Sequence, residues 1–183
     1  MMTLLEHLRN ETNALHQQLD SNSPLAQLTT AELTQQQYAE ILNLLYQPQK
    51  QLEQVLLPAI NEFIPAYQLE ARHRLIKQDI AQLGSEITQP TIWSKQLNTQ
   101  AEVLGVLYVL EGSKLGGRFI LSNLKKVLPE LSHHFFSSSD LSAKSFRQNL
   151  NQVSKGLTTA DYELAAHSAQ EAFKLFIATC QHD

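Results

Sequence analysis

Apolar residues recur along this chain at three- and four-residue intervals, and no stretch alternates as a half-buried strand would. The first such segment predicts a helix from Thr3 to Asp20, with Leu5, Leu8, Thr12, Leu15 and Leu19 on one face and a turn at Ser21-Asn22-Ser23-Pro24 to end it. Thr34-Gln35-Gln36-Gln37 has the form of a capping box and opens a long second helix through Tyr38, Ile41, Leu42, Leu45, Leu52, Val55 and Leu56, bent at Pro48 and closed off by Pro58 and Pro65. A third helix is expected from Ala66 to Leu83, stopping at Gly84. An irregular piece with Pro90 and Trp93 follows. Thr99-Gln100-Ala101-Glu102 is another capping box, and it starts a helix that runs from Ala101 to Leu128 and ends at Pro129. Two more are expected, from Ser139 to Lys155 before Gly156 and from Thr159 to Cys180 with Leu164, Ala165, Phe173, Phe176 and Ile177 as its apolar face. The expected architecture is an all-α, single-domain bundle of about seven helices covering residues 1–183.

The helix from Ala101 breaks the usual rule for helix interiors. Gly112, Gly116 and Gly117 fall within six positions of a chain that has six glycines in all. Each costs about 0.5–1 kcal/mol relative to alanine inside a helix. Gly105, Gly112 and Gly116 share a narrow stripe at 100° per residue, so the helix offers a strip of bare backbone on one side. A neighbouring helix packed closely there would explain it, and so would a flat ligand lying in the slot, with a local kink for clearance. The pattern leaves both readings open.

Composition narrows the field. A chain of 183 residues with 43% hydrophobic content can bury one sizeable core. The net charge of −4, with Lys and Arg scattered, shows neither a nucleic-acid footprint nor a membrane-surface patch. The longest apolar run, Val103 to Leu110, is too short to span a bilayer. The single cysteine, Cys180, fits a reducing compartment, and with no basic, apolar leader the expected location is cytoplasmic.

Helical phase sorts the candidate chemistry. His16 lies about 20° from Leu5 on the wheel, inside the apolar arc and so facing the core, whereas His7 points to the opposite side. Asp20 is one turn beyond His16, where a carboxylate can accept the Nδ1 proton and leave Nε2 as a ligand. Arg9 is two turns back on the same stripe, about 10 Å along the axis, where it could meet a ligand's anionic edge. Glu70-Ala71-Arg72-His73 and Glu130-Leu131-Ser132-His133 have the Glu-x-x-His spacing of di-iron bundles, but one lies in a charged patch and the other directly follows Pro129. Glu163 and His167 read as a surface pair. Gly112-Ser113-Lys114-Leu115-Gly116-Gly117 has neither the lysine spacing of a phosphate loop nor the preceding strand of a nucleophile elbow.

Arg9, Thr12, His16 and Asp20 in the opening helix, Arg72-x-Arg74-Leu75-x3-Asp79, the block Leu104 to Ser113 with Leu115-Gly116-Gly117, and the helices of Phe146 and Phe173 together resemble haem oxygenase. The likeness is to the bacterial branch that includes the biliverdin-forming enzymes found with bacterial phytochromes, and it covers most of the chain. It implies haem, as both cofactor and substrate, held between the first helix and the glycine-kinked one. His16 would be the proximal iron ligand, and Gly112, Ser113, Gly116 and Gly117 would lie on the distal, catalytic side. Arg9 and Arg147 match places where the family puts cations for the haem propionates. Animal-type members carry an aspartate immediately after the first glycine of the kink; here the position is Ser113, and a hydroxyl can hold water but carries no charge.

The activity so implied is cleavage of haem by O₂ to biliverdin, CO and ferrous iron. The electrons would come from an external donor of the ferredoxin or flavin reductase type, since the chain has no flavin or iron–sulfur motif. A bilin-accepting phytochrome is a further partner that the resemblance suggests. Two rivals remain at this level: a haem-binding or haem-transfer protein of the same fold without turnover, and a di-iron oxidase on a related bundle.

Overall fold

The computed structural model describes residues 2–87, 95–137, 146, 150 and 152–181. The expected irregular piece with Pro90 and Trp93, most of the helix expected from Ser139 to Lys155, and Arg147 lie outside the described residues. Among those described there is no strand. Six α-helices and one 3₁₀ segment are traced: α1 (Leu4–Ser21), the 3₁₀ segment (Pro24–Thr29), α2 (Gln35–Phe63), α3 (His73–Gln82), α4 (Gln100–Val127), α5 (His134–Ser137) and α6 (Thr159–Cys180). Phe146, Leu150, Gln152 and Val153 are helical as well. The all-α expectation holds.

Three helices start on reciprocal caps. Thr3 with Glu6, Thr34 with Gln37, and Thr158 with Asp161 each exchange side-chain and backbone bonds, so orphan N–H groups of the first turn are satisfied locally. Thr99 caps α4 by accepting from the Glu102 N–H.

Two boundaries differ from the sequence expectation. The second helix does not close at Pro58 but runs on to Phe63, because Leu56, Ala59 and Ile60 carry its buried stripe past the proline and their packing outweighs one missing N–H bond. The third helix starts at His73 and not at Ala66. A long-range acceptor explains it: the Glu53 carboxylate of α2 takes the backbone N–H groups of Arg72 (2.8 Å) and His73 (3.2 Å), and so caps α3 from outside at that point.

α6 organises the bundle, since α4 packs along it on one side and α1 on another, while α1 and α4 scarcely meet. The closest approach is at Gly105. A Cβ built there would run into the Ala165 carbonyl group of α6, 2.9 Å from its carbon. Gly105 therefore serves helix packing. Gly105→Ala is expected to destabilise the protein by about 1–3 kcal/mol despite alanine's better helix propensity, because the helices must separate. For a chain of this length each 1 kcal/mol is worth roughly 2–4 °C, and thermal unfolding checks it.

Candidate functional site

Because α1 and α4 both lean on α6 but not on each other, a space stays open between them. It is a cavity of about 580 Å³. α1 contributes Leu5, Arg9, Thr12, His16 and Asp20 to its lining, and α4 contributes Tyr108, Glu111, Gly112, Ser113, Gly116 and Ile120. Phe135, Phe136, Phe146, Phe173 and Phe176 supply aromatic wall, and Leu25 and Leu28 of the 3₁₀ segment close one end. Asn123 of α4 holds that end in place by donating to the Leu28 (3.0 Å) and Thr30 (2.7 Å) carbonyls.

On α1 the structure departs from the sequence expectation at His16. His16 does not face the packed core; its side chain is 57% exposed, on the open cavity wall. With Leu5 at zero, Leu8, Leu19 and Thr12 lie at about −60° to −20°, while His16, Arg9 and Asp20 lie at about +20° to +60°. The first group is buried and the second is not. The apolar arc thus covers two surfaces, one packed and one facing the cavity. His7, far round the helix, is buried against α6, 3.5 Å from Glu163 and with its ring beside Tyr162. Glu163 turns to His7 rather than forming the expected pair with His167.

At the cavity wall the His16 Nδ1 lies 3.0 Å from the Asp20 carboxylate, which leaves Nε2 as the ring nitrogen available to a ligand. The Asp20 hydrogen bond raises the His16 pKa above the usual value, against the opposing effect of partial burial. Phe173 of α6 meets the His16 ring edge-on at 5.7 Å. Arg9 is exposed on the same wall.

Across the cavity α4 is helical without interruption through all three glycines. A Cβ on Gly112 or Gly116 would meet nothing within 4 Å, whereas one on Gly117 would touch the Phe136 ring at 3.6 Å. The glycine stripe is divided: Gly105 serves a helix contact, and Gly112 and Gly116 bare the cavity wall. Ser113 stands beside them. Its hydroxyl donates to the Leu110 carbonyl (2.7 Å) and accepts from the Arg72 guanidinium (3.2 Å).

Behind that wall lies a buried polar layer that the helical pattern did not reveal. Arg72, 2% exposed, also donates to the Phe135 carbonyl (3.1 Å) and stacks on the Phe135 ring at 4.1 Å. Burial lowers its pKa to about 10 against the opposing pull of Glu70, Glu111 and Glu53, so it is still a cation at neutral pH. Asp79, two turns further along, accepts the His134 (2.8 Å) and Phe135 (2.9 Å) N–H groups and so caps α5. Burial raises the Asp79 pKa and those two bonds lower it. Arg72 and Asp79 together grip Phe135 by its carbonyl, ring and amide. The buried Lys114 ammonium joins Glu111 (3.0 Å) and Glu70 (3.4 Å), and Gln49, which lines the cavity, donates to Glu53 (2.6 Å). The sequence hints of this layer were the Arg72-x-Arg74-Leu75-x3-Asp79 segment and charged residues recurring inside otherwise apolar helices, as at Glu53, Glu111 and Lys114.

The two Glu-x-x-His pairs do not converge. His73 is bound to Glu53, and His133 donates from Nε2 to the Leu128 carbonyl (2.9 Å) and accepts from the Tyr38 hydroxyl at Nδ1 (3.3 Å). Among the described residues no three His, Cys, Asp or Glu side chains group as a metal site, and no helix is long and apolar enough to cross a membrane.

Known proteins share this fold and family. The heme oxygenase family model matches residues 2–182. A heme oxygenase of Xanthomonas campestris pv. campestris (strain 8004) is 28% identical over 116 residues, 62% of this chain and 69% of that protein. The crystal structures of the NO- and CO-bound heme oxygenase from Neisseria meningitidis superpose with a TM-score of 0.72 at 23% identity, over 99% of this chain and 92% of theirs. The all-α fold and the family match point one way, and the chain belongs to the haem oxygenase family of haem-degrading oxidoreductases.

Proposed function

We propose that this protein holds haem in the cavity between α1 and α4 and opens the porphyrin with O₂ and external electrons to give biliverdin, CO and ferrous iron. One observation carries the reading: on the wall of α4 that faces the cavity, Gly112 and Gly116 leave room for a flat ring where any side chain would stand. The site's size and mostly apolar lining suit a porphyrin. Bound haem supplies both the redox-active iron and the ring that is cut.

The protein's own residues then have separate tasks. His16 ligates the iron through Nε2, and Asp20 fixes its tautomer and ring orientation. Gly112 and Gly116 let the ring lie close to the α4 backbone; Gly117, expected on the same side, is instead outside the cavity lining and beside the Phe136 ring, where a Cβ would make an ordinary contact at 3.6 Å. The phenylalanines exclude water. Ser113 has a lone pair left to hold an ordered water on the α4 side, since its hydrogen goes to Leu110. Arg9 pairs with a propionate, and Arg147 is proposed for the same task on the sequence likeness alone. The electron donor is a ferredoxin or flavin reductase, the bilin product passes to a phytochrome, and the setting is cytoplasmic.

The test is to add haem to the apo protein and then a reductant under air. A Soret band that bleaches to a blue-green bilin is the expected result. A band that survives reduction and oxygen would make this a haem-binding or haem-transfer protein instead, and no band at all would overturn the reading.

A further inference from the structure

We infer that Arg72 is a positioning residue of this site, whose buried guanidinium fixes a positive charge directly behind Ser113 on the α4 wall of the cavity. The inference rests on the proposal that haem lies between His16 and the glycines of α4. Arg72 is not in the cavity lining; Ser113 and Phe135 are, and Arg72 bonds to both, at 3.2 Å and 3.1 Å.

The hydrogen-bond inventory of Ser113 shows why the charge matters more than the hydroxyl. A serine oxygen has one hydrogen and two lone pairs. Here the hydrogen goes to the Leu110 carbonyl and one lone pair takes the Arg72 N–H. Toward the cavity Ser113 is left as an acceptor, with no hydrogen to give to a ligand that is itself an acceptor. Beside Ser113 such a ligand senses the guanidinium charge, transmitted across one polar group in a poorly screened interior, while the Glu111 carboxylate on the same wall is held by the Lys114 ammonium at 3.0 Å.

The other charges nearby are held by partners of their own. Glu53 from α2 takes Gln49 and the amides of Arg72 and His73. Glu111 and Lys114 from α4 and Glu70 are joined through the Lys114 ammonium. Arg72 is the charge in direct contact with the Ser113 oxygen. It is also immobile, because the Phe135 carbonyl and ring hold its plane, and Phe135 is itself held by Asp79. A charge already in place needs no reorganisation when negative charge develops in the cavity.

The carbonyl stretch of the ferrous CO complex of haem reads this field without any turnover. A positive field on the ligand side favours electron donation from iron into the carbonyl and lowers the stretch. The wild-type complex is expected to absorb below the haem–imidazole–CO complex in an apolar solvent. Arg72→Gln, which keeps hydrogen-bonding capacity and loses the charge, should move the band upward, and Arg72→Lys should keep it near the wild-type position. A wild-type band at or above that of the imidazole complex would overturn the inference even if no variant folds. So would an Arg72→Gln complex with haem bound and the band unmoved, which would leave Arg72 a purely structural clamp on Phe135. Wild-type protein that takes up no haem would instead overturn the functional proposal, and this inference with it.

Discussion

Gly116→Leu is expected to leave the apo protein at least as stable as wild type while weakening haem binding by about tenfold or more, the equivalent of roughly 1.4 kcal/mol. The two effects separate because of where the glycine sits. Removing a helix-interior glycine returns about 0.5–1 kcal/mol of intrinsic helix stability. Nothing in the apo fold opposes it, since a Cβ at Gly116 meets no atom within 4 Å. The leucine side chain then fills part of the cavity against Ile120 and the aromatic wall, where the porphyrin would have to lie. Gly105→Ala is the internal control, with a smaller side chain and the opposite sign, because that glycine faces the Ala165 backbone. Apo thermal unfolding and a haem titration on each variant decide the matter. A destabilised Gly116→Leu apo protein that still titrates normally with haem would mean that the slot is elsewhere.

His16→Ala is expected to abolish the iron–histidine stretch in the resonance Raman spectrum of the ferrous complex, while His7→Ala keeps it. Both residues lie on α1, but only His16 lines the cavity, and its Nε2 is left over after the Asp20 bond. His7 is buried against Glu163 and Tyr162 of α6, so its loss should cost stability and leave the spectrum alone. Haem uptake itself need not vanish in His16→Ala, because the apolar walls supply most of the contact area. An iron–histidine band that persists in His16→Ala would transfer the ligand role to another histidine. His73 and His133 are poor candidates, since each is engaged by partners away from the cavity.

The amino-acid sequence by itself determined the helical class and the placement of most helix starts, because these depend on local chemistry. The Thr34 capping box, the Thr99 cap and the 3.6-residue apolar period act within a few residues, and α1 and α6 came out within a residue of their expected bounds. The sequence also brought His16, Asp20 and Arg9 to one stripe, for a stripe is a matter of phase alone. Where α2 ends and α3 begins was not legible, since long-range packing carried α2 past Pro58 and a carboxylate nineteen residues upstream, at Glu53, capped α3 at Arg72.

Only the tertiary structure decided what faces each stripe. Gly105, Gly112 and Gly116 are equivalent by phase, yet one abuts a carbonyl and two face open space, because α6 crosses α4 near Ala165 and leaves its later turns uncovered. The same holds for α1, whose apolar arc is divided between a packed side with Leu8 and an open side with His16. How Glu53, Arg72, Asp79, Glu111 and Lys114 join into one buried layer also belongs to this level, although the Arg72 to Asp79 segment stood out in the sequence. Such charges are costly to bury alone; Glu111 and Lys114 pair within α4, but Glu53 with the Arg72 and His73 amides, Glu70 with Lys114, and Asp79 with the start of α5 meet only through the fold, so the local pattern hints at the charges and not at their partners.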